Sequence, residues 1–515
     1  MTRFSRAAAA VLAAVSLGAF LPASASAAPA HDPVVATRGG VLRGTAGSGA
    51  DAYLGVPYAA PPTGALRWRP PQAAARWTGV RAADRPGAAC LQPGAAGSAE
   101  DCLYLNVYTP PGASRGRAKY PVMVYLHGGA FVTGKGSAYD PTELTKNGVI
   151  VVTVNYRLGA LGFLAHPSLA GRDGSAGNYG LMDQQAALRW VRDDIARFGG
   201  KPGDVTVFGE SAGGLSVLSQ LVSPGSAGLF SAAINQSGAY GLTLPTRAAA
   251  ERQGASFATA AGCADQSAAC LRALPAATVL AHQQGSYLPD VDGRVLPRSL
   301  DDALRRGAFH RVPVVNGTTH NESSYFVALM YDLSGGRATP ENYLAGIQAM
   351  AYVSADQARR VAAQYPLSRY GSPAEALSAL GTDADFACPA LSVDRWLAGR
   401  VPTYAYEFND PNPPELYLAP VSFPYGAAHA TELQYLFTVG NAAFPAELSP
   451  DQQRLAATMR RDWASFATAH RVAGWPRFTA SGQRMRSYVP PGSKPMTGFA
   501  DEHRCGFWST VPRSY

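Results

Sequence analysis

"VTVFGESAGG" (205–214) sets one serine, Ser211, among three glycines directly after a run of β-branched residues. Val205, Thr206 and Val207 read as a strand. The segment after Ser211 reads as a helix. Gly209-Glu210-Ser211-Ala212-Gly213 fits G-x-S-x-G, a match that a chain with 54 glycines also yields by chance. The context gives it weight. A serine on a sharp strand-to-helix turn is lifted out of the sheet as a nucleophile, and the flanking glycines leave room for the turn.

The sequence on either side extends the pattern. "PVMVYLHGG" (121–129) and "GVIVVTVNYRL" (148–158) are dense in Val and Ile, like strands buried on both faces. "LMDQQAALRWVRDDIARF" (181–198) places Leu181, Leu188, Val191, Ile195 and Phe198 at helical spacing, and Gly199-Gly200 ends the run. Residues 231–238, 312–318 and 402–408 read as later strands. Strands alternating with helices indicate an α/β protein with a mostly parallel sheet. In such folds the site lies at the carboxyl ends of the strands.

A nucleophilic serine needs N–H donors for an oxyanion, a base and an acid. Ala212, just after the serine, offers one backbone N–H. "LHGGAF" (126–131) follows a strand, and its Gly128, Gly129 and Ala130 offer others. The chain order serine, acid, histidine leaves His429, His470 and His503 as late candidates among nine histidines. His470 ends a helical run, where a C-terminal role suffices. His503 lies near Phe507-Trp508, where packing suffices. His429, in "FPYGAAHATELQYLF", sits on a glycine-containing loop and is the preferred base. Glu322 lies on the loop that ends a strand in "VPVVNGTTHNESSYF" (312–326) and is the preferred acid; Asp290 and Asp292 in "LPDVDG" compete but resemble turn formers.

Composition narrows the class. The first residues carry Arg3 and Arg6, an apolar run to about Leu21, and small residues at Ala25, Ala27 and Ala28. That is the pattern of a secretory leader over 1–28, too short in its apolar part to span a membrane, which takes about 20 residues. The expected mature part, 29–515, is one domain of a secreted, extracellular protein with no integral membrane segment. The net charge of +8 is spread along the chain without a basic run, against nucleic-acid binding. Six cysteines in an exported chain favour disulfides, and Cys90/Cys102 and Cys263/Cys270 are close pairs, with Cys388 and Cys505 remaining. Spacing leaves the pairing open. A zinc site is not expected, since there is no C-x-x-C and no nearby histidine pair.

The chain resembles the type-B carboxylesterases, the cholinesterase-related branch of the α/β-hydrolases. The resemblance spans nearly all of the expected mature chain. It is carried by "YLGVPYAAPPTGALRW" (53–68), "EDCLYLNVYTP" (100–110), "HGGAF", "NYRLGALGFL" (155–164), "GNYGLMDQQAALRWV" (177–191) and "FGGKPGDVTVFGESAGG" (198–214). It implies a large, mostly parallel sheet flanked by helices, with a small N-terminal antiparallel sheet. It also implies a Ser211–Glu322–His429 triad, oxyanion donors at Gly129, Ala130 and Ala212, and disulfides Cys90–Cys102, Cys263–Cys270 and Cys388–Cys505. No cofactor and no metal are implied. One departure stands out: the family usually has glycine after the acid, and here it is Ser323.

The first disulfide loop, "LQPGAAGSAED" (91–101), holds no aromatic residue. The cholinesterases carry a tryptophan there for a quaternary ammonium, so choline esters are not expected as specific substrates. The loop is also short beside the flap of the family's lipases. A small-molecule ester of short-to-medium acyl length is therefore expected. The alternatives are a lipase for long-chain acylglycerols and a non-catalytic binding protein of the same fold.

Overall fold

In a computed structural model, described here for residues 32–117, 119–171 and 174–513, the strand that runs into Ser211 lies inside a ten-stranded sheet. The expected leader falls outside the described residues. In chain order the strands are β1 (Asp51–Pro57), β2 (Tyr104–Thr109), β3 (Tyr120–Leu126), β4 (Ile150–Val154) and β5 (Gly200–Glu210). They continue with β6 (Ala232–Gln236), β7 (Val314–Thr319), β8 (Thr403–Phe408), β9 (Met485–Val489) and β10 (Gly492–Met496).

Their order across the sheet is β1-β2-β4-β3-β5-β6-β7-β8-β9-β10. From β4 to β9 every neighbouring pair is parallel; β1, β2 and β10 join antiparallel at the two edges. The chain order reverses around β3, and a crevice opens at the carboxyl ends of strands at such a point. The register there pairs Leu126 with Gly209 and Glu210 with Gln236.

The Val-rich segments form strands because both faces are covered. Val122, Val124, Val205 and Val207 pack into one apolar layer, while Met123, Tyr125 and Phe208 pack into the other. Helix α1 (Tyr179–Asp194) covers the first face, and its expected extension to 198 tightens into a 3₁₀ turn ended by Gly199 at φ +91°. The expected strands over 121–129 and 148–158 are shorter than read, because His127–Gly129 and Asn155–Leu158 already belong to loops at the sheet's carboxyl end.

The small N-terminal sheet joins Val34–Ala36, Val41–Arg43 and Val80–Ala82. Its first pair is antiparallel as expected; its second is parallel. The third strand arrives after a long excursion through β1, so no hairpin dictates its direction. All three disulfides are formed: Cys90–Cys102, Cys263–Cys270 and Cys388–Cys505.

Candidate active site

Between β5 and helix α2 (Ala212–Val222), Ser211 adopts φ +56° and ψ −121°, a strained conformation for a residue with a side chain. Its backbone N–H donates to the Gln236 carbonyl at 2.9 Å, which fixes the turn to β6. The glycines are steric requirements. A Cβ on Gly213 would lie 1.8 Å from the Leu126 carbonyl oxygen of β3. Only a bare backbone lets α2 leave the sheet at that angle.

The loop after β3 passes over the serine: a Cβ on Gly128 would lie 3.1 Å from the Ser211 Cβ and 2.6 Å from Glu210 Oε2. Gly129, Ala130 and Phe131 all take positive φ, at +105°, +54° and +59°. The N–H groups of Gly129 and Ala130 donate to no acceptor among the described residues. Gln92 holds the far end of this loop, accepting from the Gly134 N–H and donating to its carbonyl, each at 2.8 Å. The first disulfide loop thus braces the turn.

Glu322 opens helix α3 (Glu322–Met330) directly after β7. Its Oε1 accepts from the Thr318 hydroxyl at 2.6 Å and the Thr319 N–H at 2.8 Å. Its Oε2 lies 2.5 Å from His429 Nδ1. The acid's neighbours also hold the histidine loop: Asn321 exchanges hydrogen bonds with the backbone of Ala427, and the Ser324 hydroxyl donates to the Tyr425 carbonyl. Ser323 causes no distortion. It is buried in α3, and the space for it comes from Gly381 at the end of helix α4 (Pro373–Gly381), where a Cβ would lie 2.9 Å from the Ser323 Cβ.

The ring of His429 turns its Nε2 toward the elbow, 3.2 Å from Glu210 Oε1. Glu210 and Glu432 were not picked out in the sequence. One occupies a variable position of the serine motif and the other resembles a helix-surface residue, yet both are buried. Burial pushes the Glu210 carboxyl up to about 8, and burial with the nearby Glu322 pushes Glu432 up to about 7. Burial opposes charge on His429 too, but the facing Glu210 and Glu322 outweigh it and push the imidazole up to about 9. For Glu322 burial also works against charge, yet His429 holds its carboxyl below the usual range.

The other candidates lie elsewhere. His470 follows the helix Pro450–Ala469 as its C-cap, beside Asp204. Asp292 Oδ1 accepts from the N–H groups of Arg294 and Leu296, a turn former as expected. Asp290 exchanges backbone hydrogen bonds with the side chain of Asn178. His503 does more than pack: it stands between Asp383 and Glu407.

A family model described as "Carboxylesterase family" matches residues 31–508. The chain belongs to the carboxylesterase family. It is 34% identical to an acylcarnitine hydrolase of Mus musculus, over 94% of this chain and 92% of that protein. It is also 34% identical to a para-nitrobenzyl esterase of Bacillus subtilis (strain 168), over 86% of this chain and 92% of that one. A solved PNB esterase superposes with a TM-score of 0.77 at 31% identity, covering 92% of this chain and 99% of its own. The sheet is therefore that of an α/β-hydrolase, and membership makes the protein an ester hydrolase of the carboxylesterase class. No helix among the described residues is long and apolar enough to cross a membrane.

Proposed function

We propose that this carboxylesterase is an exported enzyme that cleaves soluble esters of short-to-medium acyl length through an acyl-serine intermediate. The observation that carries the reading is the Glu322–His429 pair, 2.5 Å apart, whose other ring nitrogen lies 3.2 Å from Glu210, the residue before a serine held at φ +56°. His429 Nε2 takes the proton of Ser211 as the serine oxygen attacks the ester carbonyl. Glu322 holds the ring in one tautomer and stabilises the imidazolium. The N–H groups of Gly129, Ala130 and Ala212 receive the charge on the tetrahedral oxygen. The alcohol leaves with the proton from His429. Water then attacks the acyl-serine, giving its proton to His429, and Ser211 regains a proton as the acid departs.

Two features support the acyl-length part of the proposal. The rings of Tyr325, Phe326 and Phe386 lie 5.0 to 6.0 Å from the His429 ring and form an aromatic wall beside it. The first disulfide loop is pinned through Gln92 to Gly134, a fixed strap in place of a lipid-responsive flap. Three disulfides, with the leader read in the sequence, support export.

The test is hydrolysis of p-nitrophenyl esters from acetate to palmitate by wild type and Ser211→Ala. Activity should peak at short or medium chains. The substitution should lower kcat by roughly 10⁴–10⁶-fold. A maximum at palmitate would overturn the acyl-length reading in favour of a lipase, and an active Ser211→Ala would overturn the nucleophile.

A further inference from the structure

His320, Glu407 and His503 are far apart in the chain, so no motif spacing joins them. The fold brings them together. His320 follows β7, Glu407 lies in the adjacent β8, and His503 follows the short helix Phe499–Glu502 near the C-terminus. His503 Nε2 and His320 Nδ1 both point at Glu407 Oε1, at 2.7 and 3.1 Å. The three ligand atoms lie within 4.8 Å of one another.

We propose that His320, Glu407 and His503 form a binding site for a divalent transition-metal ion of the zinc class. The donor set is two imidazoles and one carboxylate, which suits such ions. With metal–ligand bonds of about 2.0–2.1 Å, ligand atoms stand about 3.0–3.4 Å apart, close to the spacings around Glu407 Oε1. Loading replaces the protons that now lie between the rings and that oxygen.

The surroundings are those of a metal site. Metal-bound histidines usually give their other ring nitrogen to a carboxylate, which fixes the tautomer. His503 Nδ1 lies 2.6 Å from Asp383 Oδ1, and His320 Nε2 lies 3.9 Å from Glu502 Oε1. Asp383 is fixed in turn by the Tyr365 hydroxyl at 2.6 Å. Glu407 Oε2 accepts from Asn409 Nδ2 at 2.8 Å, which leaves Oε1 for the rings. The Cys388–Cys505 bridge anchors the His503 segment, with Cys388 Sγ 3.3 Å from the His503 carbonyl oxygen. Access is open too. The His320 side chain is 34% exposed, and it borders a groove of about 570 Å³ lined also by Tyr370, Glu375, Asp410 and Glu502. A bound ion would cross-link β7, β8 and the C-terminal segment two residues from the acid Glu322.

The experiment treats the purified full chain with a chelator, removes it, and titrates Co²⁺ in weakly alkaline buffer, followed by visible absorption and thermal unfolding. The expected result is one Co²⁺ per chain with intense d–d bands, displacement by Zn²⁺, and a raised Tm. His320→Ala, at a partly exposed position, should keep the fold and lose the bands and the Tm shift. Wild type without a Co²⁺ spectrum would overturn the proposal. Equal uptake by His320→Ala would also overturn it, as binding elsewhere on the surface.

Discussion

His429 and His503 are both buried, 5% and 3% exposed, and both stand against carboxylates. Burial therefore does not tell a base from a brace; the wiring does. His429 has one nitrogen tied to Glu322, while among the described residues Nε2 makes no hydrogen bond of good geometry and lies against Glu210 of the serine elbow. His503 has both nitrogens committed, to Asp383 and to Glu407. An imidazole held at one end can exchange a proton with a reacting group. One held at both ends fixes the segments that carry its partners.

The sharpest way to break this contrast is to measure kcat/KM and thermal unfolding on one variant from each site. Glu322→Gln should cut kcat/KM by about 10³–10⁴-fold, because an amide favours the wrong tautomer. Its effect on Tm should be the smaller one. His503→Asn should do the reverse and destabilise the protein by about 3–5 kcal/mol, since Asp383 and Glu407 would be left buried without their partner. If His503→Asn lowered kcat/KM of folded protein as far as Glu322→Gln, the division between base and brace would fail.

Much of the candidate site was legible in the sequence, and for local reasons. Ser211 announces itself because a strained turn needs glycines at fixed offsets. Chain order and loops ending at strands and glycines made Glu322 and His429 the preferred candidates among several, and the family resemblance implied the pair. The His503 cluster was not legible. Residues 320, 407 and 503 meet only through the pairing of β7 with β8 and the bridge at Cys505. The place of Ser323 was hidden for a similar reason, because the space for it is made by Gly381 on a separate helix. Glu210 was in plain view and was still missed, because the motif leaves its position undefined and its burial depends on the loop at Gly128.

Glu210 sharpens the comparison through pH. Its carboxylate faces the Nε2 that must be unprotonated to act, and it helps hold His429 up at about 9. Activity limited by that proton rises with pH. Glu210→Gln removes a facing negative charge, so His429 releases its proton more readily and the acidic limb of kcat/KM should move down by ~1 pH unit. A limb that stays in place would mean that Glu322 alone sets the proton affinity of the ring.

The smallest expected effect concerns Tyr240, which follows β6 and packs its ring 5.5 Å from Phe386. Its hydroxyl lies beside Ser211. Burial raises the phenol's pKa well above its ordinary range, the neighbouring Ser211 working against that rise, so the group stays a neutral hydroxyl. A serine proton donated to Tyr240 is not aimed at His429. Such a bond would stabilise the resting enzyme and be given up as the serine attacks, adding to the barrier. A neutral hydrogen bond contributes about 0.5–1.5 kcal/mol, and Tyr240→Phe should therefore raise kcat/KM by ~2–10-fold on short esters. A fall of similar size would give Tyr240 the opposite part, a donor that strengthens in the transition state. His429 would then share the handling of the serine proton with a residue that neither the motif nor the chain order points to.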